Sequence, residues 1–203
     1  FHENYEVFVK LLDLGANPNI SYSDIHQPII HWLITINADF KYLTELLNKG
    51  GDINIVNIAL ETPLITAVIN NKLHYVIELL QKGANIDFAH IHNRETALHK
   101  SANPTVSTKI FETLLDNGAN IQIRNSAGFN IHNILIQNNQ TEKKDILEQY
   151  KTNRALKKRI FNRLEKDLHM TDTDLSKNIR DSLYKPTPPG TPSEHLSDGD
   201  DAN

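Results

Sequence analysis

The sequence predicts an all-α fold, a solenoid of stacked helix-turn-helix units with short fingers between them. Three observations predict it. A block of about ten residues that begins Leu-Leu occurs four times, which is typical of repeat proteins. Each block has a glycine in the same place, and successive glycines lie 35, 33 and 35 residues apart: Gly15, Gly50, Gly83 and Gly118. The chain of 203 residues has no cysteine, so packing between repeats must stabilise it.

Each part of the block has a physical role. In three of the repeats the Leu-Leu pair lies on the same predicted helix as an apolar residue one turn earlier, and the three apolar positions predict one buried stripe. The earlier residues are Val7, Val76 and Ile110. The glycine follows the last helical residue, where a left-handed backbone ends the helix without a steric cost. The alternating residues Ile53 to Ile55 predict an extended finger that is apolar on one side.

A second landmark follows each of two glycines and predicts a helix start. It reads Thr62-Pro63-Leu64 in one repeat and Thr96-Ala97-Leu98-His99 in the next. A Thr hydroxyl can cap the first amides of a helix, and proline suits the first helical position because it lacks the amide that would go unused there. We expect His99 to make an orienting hydrogen bond at the start of its helix rather than to act in catalysis.

These landmarks resemble the Thr-Pro-Leu-His-x-Ala signature and the 33-residue period of the ankyrin family. The resemblance gives residues 1–153 about four and a half repeats, of which the first is truncated. The first and fifth repeats match least well, and the fifth has Asn130 in the place of the Thr and Lys151-Thr152-Asn153 in the place of Gly-Ala-Asn. The family implies a non-catalytic scaffold that binds a partner protein through a concave face.

Beyond the repeats we expect two C-terminal helices over residues 154–185 and a disordered, proline-rich and acidic tail over residues 186–203. Residues 151–166 carry seven Lys or Arg and one acid, with Leu156 and Ile160 on one helical face. We expect this helix to cap the apolar edge of the fifth repeat. Binding of residues 154–169 to a membrane surface is a weaker alternative, and nucleic acid is weaker still because the chain is acidic overall.

The sequence contains none of the motifs that mark common enzyme sites. There is no phosphate-binding loop, no His-Glu-x-x-His and no nucleophile elbow. His90 and His92 could chelate a metal, but no third ligand accompanies them. We therefore predict no catalytic residue, no metal and no cofactor.

The positions that vary between fingers are the candidate partner-binding residues, because their aromatic, imidazole, charged and amide groups suit recognition of a protein surface. They are Tyr22, Asp24, His26, Asn57, Glu61, His90, His92, Arg94 and Asn125. We expect a monomer that binds a protein and no nucleic acid.

Two further hypotheses concern context. Abundant Ile, Asn and Lys suggest an AT-rich genome, and with the polar C-terminus the chain resembles ankyrin effectors that intracellular bacteria such as Legionella secrete into host cells. We expect a soluble cytoplasmic protein, or a protein of the host cytoplasm if it is an effector. Alternatively, the repeats present substrates to a catalytic domain upstream of Phe1. Asn19 and Asn54 also suit modification by an asparaginyl hydroxylase that acts on ankyrin loops.

Overall fold

The computed structural model describes residues 2–22 and 27–167, and most of this chain is helical. In chain order the elements are α1 (His2–Asp13), β1 (Ser21–Tyr22), β2 (Gln27–Pro28), α2 (Ile29–Thr35), α3 (Phe40–Asn48), α4 (Pro63–Ile69), α5 (Leu73–Gln81), α6 (Ala97–Lys100), α7 (Thr108–Asp116), α8 (Ile131–Gln137) and α9 (Thr141–Asp167). The second C-terminal helix and the tail expected from the sequence lie outside the described residues.

The helices form two layers. The short helices α2, α4, α6 and α8 pack against one another in succession and are called the first-helix layer. Behind them α1 packs on α3, and α5, α7 and α9 pack in order, which makes the second-helix layer. Rings of Phe40 and Tyr75, 4.8 Å apart, join α3 to α5. Among the described residues the only strand pairing is the short antiparallel ladder of β1 and β2. The architecture is the all-α repeat solenoid that the sequence predicts.

The buried stripe forms as predicted in the middle repeats. Val76, Leu79, Ile110 and Leu114 are all fully buried between the two layers. The prediction is wrong for Val7, whose side chain is 57 % exposed. The reason is that α1 packs chiefly on α3 and is not paired with a first helix of its own among the described residues.

The predicted helix ends are also confirmed. All four block glycines have φ between +84° and +89°, the left-handed region that stops a helix. Thr62 Oγ1 accepts a hydrogen bond from Ile65 N at 3.4 Å, and Pro63 is the first residue of α4. In the fifth repeat Asn130 takes the same role, because its side chain accepts from Asn133 N at 3.2 Å.

A buried histidine joins the second and third repeats. His31 is fully buried on α2, and one ring nitrogen, Nε2, donates to the carbonyl of Ile55 at 2.9 Å. The other, Nδ1, lies 2.8 Å from Thr66 Oγ1 and so accepts from that hydroxyl. Burial lowers the pKa of His31, so the neutral ring is the form that holds the two repeats together.

A buried lysine joins the fourth and fifth repeats. Lys143, on α9, is only 3 % exposed, and its Nζ donates to the carbonyls of Ser101 at 2.9 Å, Asn103 at 2.9 Å and Val106 at 2.6 Å. These carbonyls belong to the loop that replaces the last turns of α6, the shortest helix of its layer. Burial lowers the pKa of Lys143, and nearby Glu142 opposes that shift. The ammonium group therefore supplies donors that a longer α6 would have provided.

Fingers connect each second helix to the next first helix: the first finger is residues 14–28, the second 49–62, the third 82–96 and the fourth 117–130. They are built of turns, not of the extended strands that the alternation predicts, apart from the short β1–β2 ladder in the first finger. Asn and Asp side chains shape these turns by accepting hydrogen bonds from amides two residues on.

The same side chains also join one finger to the next. Asn19 Oδ1 accepts from Asp52 N at 2.7 Å, Asn54 Oδ1 from Asn85 N at 2.8 Å, and Asp87 Oδ1 from Asn120 N at 2.9 Å. These bonds alternate with local bonds inside each finger. In a local bond, a backbone N–H donates to the Oδ1 of the Asn or Asp two residues earlier; the donors are the amides of Asn19, Asn54, Asp87 and Gln122. The result is one continuous hydrogen-bond chain through all four fingers, here called the Asx ladder.

The last helix departs from the sequence prediction. α9 runs without a break from Thr141 to Asp167, through the boundary expected after residue 153 and through Lys151-Thr152-Asn153, for which the repeat pattern predicts a loop. No glycine or proline interrupts residues 141–167, so nothing in the chain ends the helix there.

Because α9 is continuous, its rotation is fixed by its buried residues. Leu147 is fully buried, and Leu156 follows nine residues later, which is about two and a half turns, so it projects from the opposite side. Leu156 is 53 % exposed and Ile160 is 46 % exposed. The expected capping contact of these two residues with the fifth repeat is therefore wrong.

Candidate protein-binding surface

Hydrogen bonds tie the tips of the second, third and fourth fingers together. His90, in the third finger, donates from Nε2 to the carbonyl of Ala59 in the second finger at 2.8 Å. Ser126 N, in the fourth finger, donates to the carbonyl of Asn93 at 2.8 Å. Adjacent tips are thus held side by side and form one continuous edge, which we call the finger edge.

The finger edge exposes apolar side chains. Ile58 on the second finger and Ile91 on the third are each 69 % exposed, and the His90–Ala59 bond lies beside both. Large apolar side chains exposed on adjacent tips are typical of a surface that a partner covers. The third finger is also one residue longer than its neighbours, since Thr96 lies thirteen positions after Gly83 and Thr62 lies twelve positions after Gly50.

Two residues of this edge have a backbone conformation that favours glycine. Leu60 has a φ of +60° and Arg94 a φ of +55°, and the fourth finger has Gly128 at the same turn position, with a φ of +81°. The left-handed region costs an ordinary side chain about 1–2 kcal/mol. Strained backbone of this kind is frequent at binding sites. At Arg94 the strain holds an exposed guanidinium group at the tip of the longest of these three fingers.

The candidate residues of the first finger are described only in part. Tyr22 lies in β1, where its backbone pairs with Gln27. Asp24 and His26 lie outside the described residues. The predicted role of these three in partner binding stays a prediction.

Three candidates support the fingers from within. Asn57 is only 8 % exposed, and its Oδ1 accepts from Glu61 N at 3.1 Å, so it shapes the second finger and is not available to a partner. Asn125 does the same in the fourth finger, where its Oδ1 accepts from Ala127 N and Phe129 N. The ring of His90 is held on both sides, since Nδ1 accepts from His92 N at 3.3 Å. Of the named candidates, His92 and Arg94 are exposed on the finger edge and Glu61 is half-buried beside it.

A polar groove of about 310 Å³ adjoins the finger edge on the first-helix layer. Its lining is Glu95, His99, Lys100, Asn103, Asn125, Ile134, Gln137 and Asn138. Lys100 Nζ and Glu95 Oε2 form an ion pair at 2.7 Å, so the two charges compensate each other. The remaining lining is rich in side-chain amides, which both donate and accept hydrogen bonds. Such a groove suits the peptide groups of a bound polypeptide.

His99, which lines this groove, makes the orienting hydrogen bond at the start of its helix that the sequence predicts. Its Nδ1 accepts from Thr96 N at 3.2 Å, while Thr96 Oγ1 accepts from His99 N at 3.5 Å, so the two residues cap α6 reciprocally. Burial lowers the pKa of His99, and backbone carbonyls of Phe129 and Ile123 oppose that shift. The ring is a neutral structural element at the base of the groove.

Within residues 2–22 and 27–167, no three His, Asp or Glu side chains lie close enough to hold a metal ion. The rings of His90 and His92 are 5.8 Å apart. No helix in the same part of the chain is both long enough and apolar enough to cross a bilayer.

Sequence reasoning missed the residues that dominate the edge. Ile58 and Ile91 are not among the candidates, because the candidates are finger positions with aromatic, imidazole, charged or amide groups. Lys100, Gln137 and Asn138 were missed because their repeat positions carry no distinctive chemistry. The additional residue in the third finger is a signal that could have found Ile91.

Residues 30–125 match the family model described as Ankyrin repeats (3 copies). This confirms the resemblance for that part of the chain, which contains the second, third and fourth repeats. A comparison with curated proteins gives no match. Ankyrin repeats are generally non-catalytic and generally bind proteins, so the match supports an interaction module and names no partner.

Proposed function

We propose that the chain is a non-catalytic interaction module that binds a partner protein along the finger edge and the adjoining groove. The observation that carries the proposal is the edge itself: Ile58 and Ile91 are exposed on tips that hydrogen bonds hold together, next to Arg94. Arginine is enriched among the residues that dominate the binding energy of protein interfaces, and apolar neighbours exclude water around it. Because the tips are already ordered, binding costs less entropy than it would with mobile loops.

The composition that suggested a bacterial effector has a structural use in this fold. Asn19, Asn54, Asn85 and Asn120 are members of the Asx ladder, so part of the asparagine content serves the fingers. Secretion into a host cell therefore gains no support from the fold. Presentation of substrates to an upstream catalytic domain would use the same finger edge, and the sequence before Phe1 distinguishes this alternative.

Photo-crosslinking tests the proposed surface. A photoreactive residue replaces Ile91 in one variant and Lys109, which is exposed on the second-helix layer, in a control variant. In extracts of the source cells we expect one adduct from position 91 and none of that mass from position 109. The same adduct should weaken at least about tenfold when Arg94→Glu is added, with the unfolding free energy changed by less than about 0.5 kcal/mol. Equal adducts from both positions, or an adduct insensitive to Arg94→Glu, would contradict the proposal.

A further inference from the structure

The segment of α9 just beyond Lys151 is little covered by the other helices, although Lys157 lies close enough to Asp116 of α7 to interact with it electrostatically. Lys151 is half-buried, but every residue from 152 to 160 is exposed. At 1.5 Å per residue, the part of the helix beyond Lys151 extends about 24 Å. Leu156 and Ile160 lie one turn apart on the same side of this segment, so their exposed faces form a short apolar stripe.

Positive charge surrounds this stripe on every side. Lys157 and Arg159 flank it, roughly 80° to either side, since each residue advances the helix by about 100°. Arg154 and Lys158 project from the opposite side. Residues 151–166 carry a net charge of +6, whereas residues 1–150 carry −5.

We propose that residues 151–167 of α9 bind an anionic membrane surface. Leu156 and Ile160 insert at the level of the lipid headgroups, and the flanking Lys157 and Arg159 pair with the anionic headgroups while their aliphatic stems lie along the apolar stripe. The stripe is too small to hold the helix alone, so negative lipid charge is needed for binding.

The distribution of charge favours a membrane over an acidic protein helix. A partner helix would contact one side of α9, and Arg154 and Lys158, opposite the stripe, would contribute little to it. The potential of an anionic surface acts on charges at every angle within about 8 Å, the Debye length at physiological salt. Pairing of two copies through the stripe would bring two segments of +6 together. A nucleic acid would pair with the basic residues but would leave the apolar side chains of Leu156 and Ile160 exposed to water.

The acidic repeats would orient the protein relative to the membrane surface. The negatively charged residues 1–150 are repelled by an anionic surface, so α9 would be the part that touches it. The finger edge would then remain free for a protein partner. This inference concerns a separate surface and does not depend on the proposed function.

Vesicle co-sedimentation of the full chain tests the proposal. The arms are vesicles of phosphatidylcholine alone, vesicles with about 30 % phosphatidylserine, and soluble polyglutamate. We expect binding to the anionic vesicles only. The double variants Leu156→Ser/Ile160→Ser and Lys157→Glu/Arg159→Glu should each weaken it at least about tenfold.

The matched control is Lys10→Glu/Lys82→Glu, which changes the net charge by the same amount at exposed positions of the repeats. It should change binding less than about twofold. Circular dichroism checks that each variant keeps its helix content. Absence of binding to anionic vesicles, an equal loss in the control, or binding to polyglutamate instead of vesicles would overturn the proposal.

Discussion

Replacement of Lys143 by methionine should destabilise the fourth and fifth repeats together. Methionine preserves most of the length of the side chain and removes all three donors. Asn103 O also accepts from Val106 N at 3.1 Å, so it keeps a partner, whereas among the described residues we find no second donor for the carbonyls of Ser101 and Val106. An acceptor left without a donor costs about 1–2 kcal/mol, so two predict a loss of about 2–4 kcal/mol in the free energy of unfolding.

Urea unfolding followed by circular dichroism measures this loss. Lys144→Met is the matched control, because it removes the same charge from the next residue, which is partly exposed. We expect it to cost less than about 1 kcal/mol. If the two variants agree to within about 0.5 kcal/mol, Lys143 does not stabilise the loop and the reasoning is refuted.

Two further predictions concern strain and pH. Arg94→Gly should raise the free energy of unfolding by about 1 kcal/mol, because glycine adopts a φ of +55° without strain. Arg94→Ala also removes the side chain but keeps the strain, so it should not raise the free energy of unfolding. If urea unfolding gives equal effects for the two variants, the backbone of Arg94 is not strained. Burial lowers the pKa of His31 and His99 below 6.5, so beneath about pH 6.5 the unfolded chain takes up protons that the folded chain does not. The free energy of unfolding should therefore fall from pH 7.5 to pH 5.5 by up to about 1.4 kcal/mol per pH unit for each histidine, and a rise over this interval in urea titrations would refute the assignment.

The repeats were predictable because their chemistry is local. A glycine with a left-handed backbone, a Thr cap and a proline at the first helical position act within a few residues, so Gly83, Thr62 and Pro63 could each be read from the chain alone. The Leu-Leu stripe was predictable wherever a repeat has both neighbours. It failed at Val7, because α1 is not paired with a first helix of its own among the described residues.

The surface was harder to predict because it depends on contacts between repeats. Nothing near Lys143 in the sequence indicates that a loop forty residues earlier needs its ammonium group. Nothing near His90 shows that its ring reaches Ala59 and so joins the two fingertips that carry Ile58 and Ile91. The continuity of α9 could have been predicted, since no residue in it ends a helix, but the repeat period favoured a boundary that the local chemistry does not support.

The Asx ladder has a consequence for the length of the protein. Every bond of the Asx ladder between fingers joins equivalent positions of neighbouring repeats, so the ladder does not tie a finger to one particular neighbour. Excision of residues 53–85 would place Ile86 and Asp87 directly after Asp52, which restores the Asp-Ile-Asx pattern. Asn19, Asp52, Asp87 and Asn120 would then continue the chain of hydrogen bonds across the new junction. Recombination can therefore remove or insert whole repeats, and so shorten or extend the row of fingers, while the Asx ladder stays continuous.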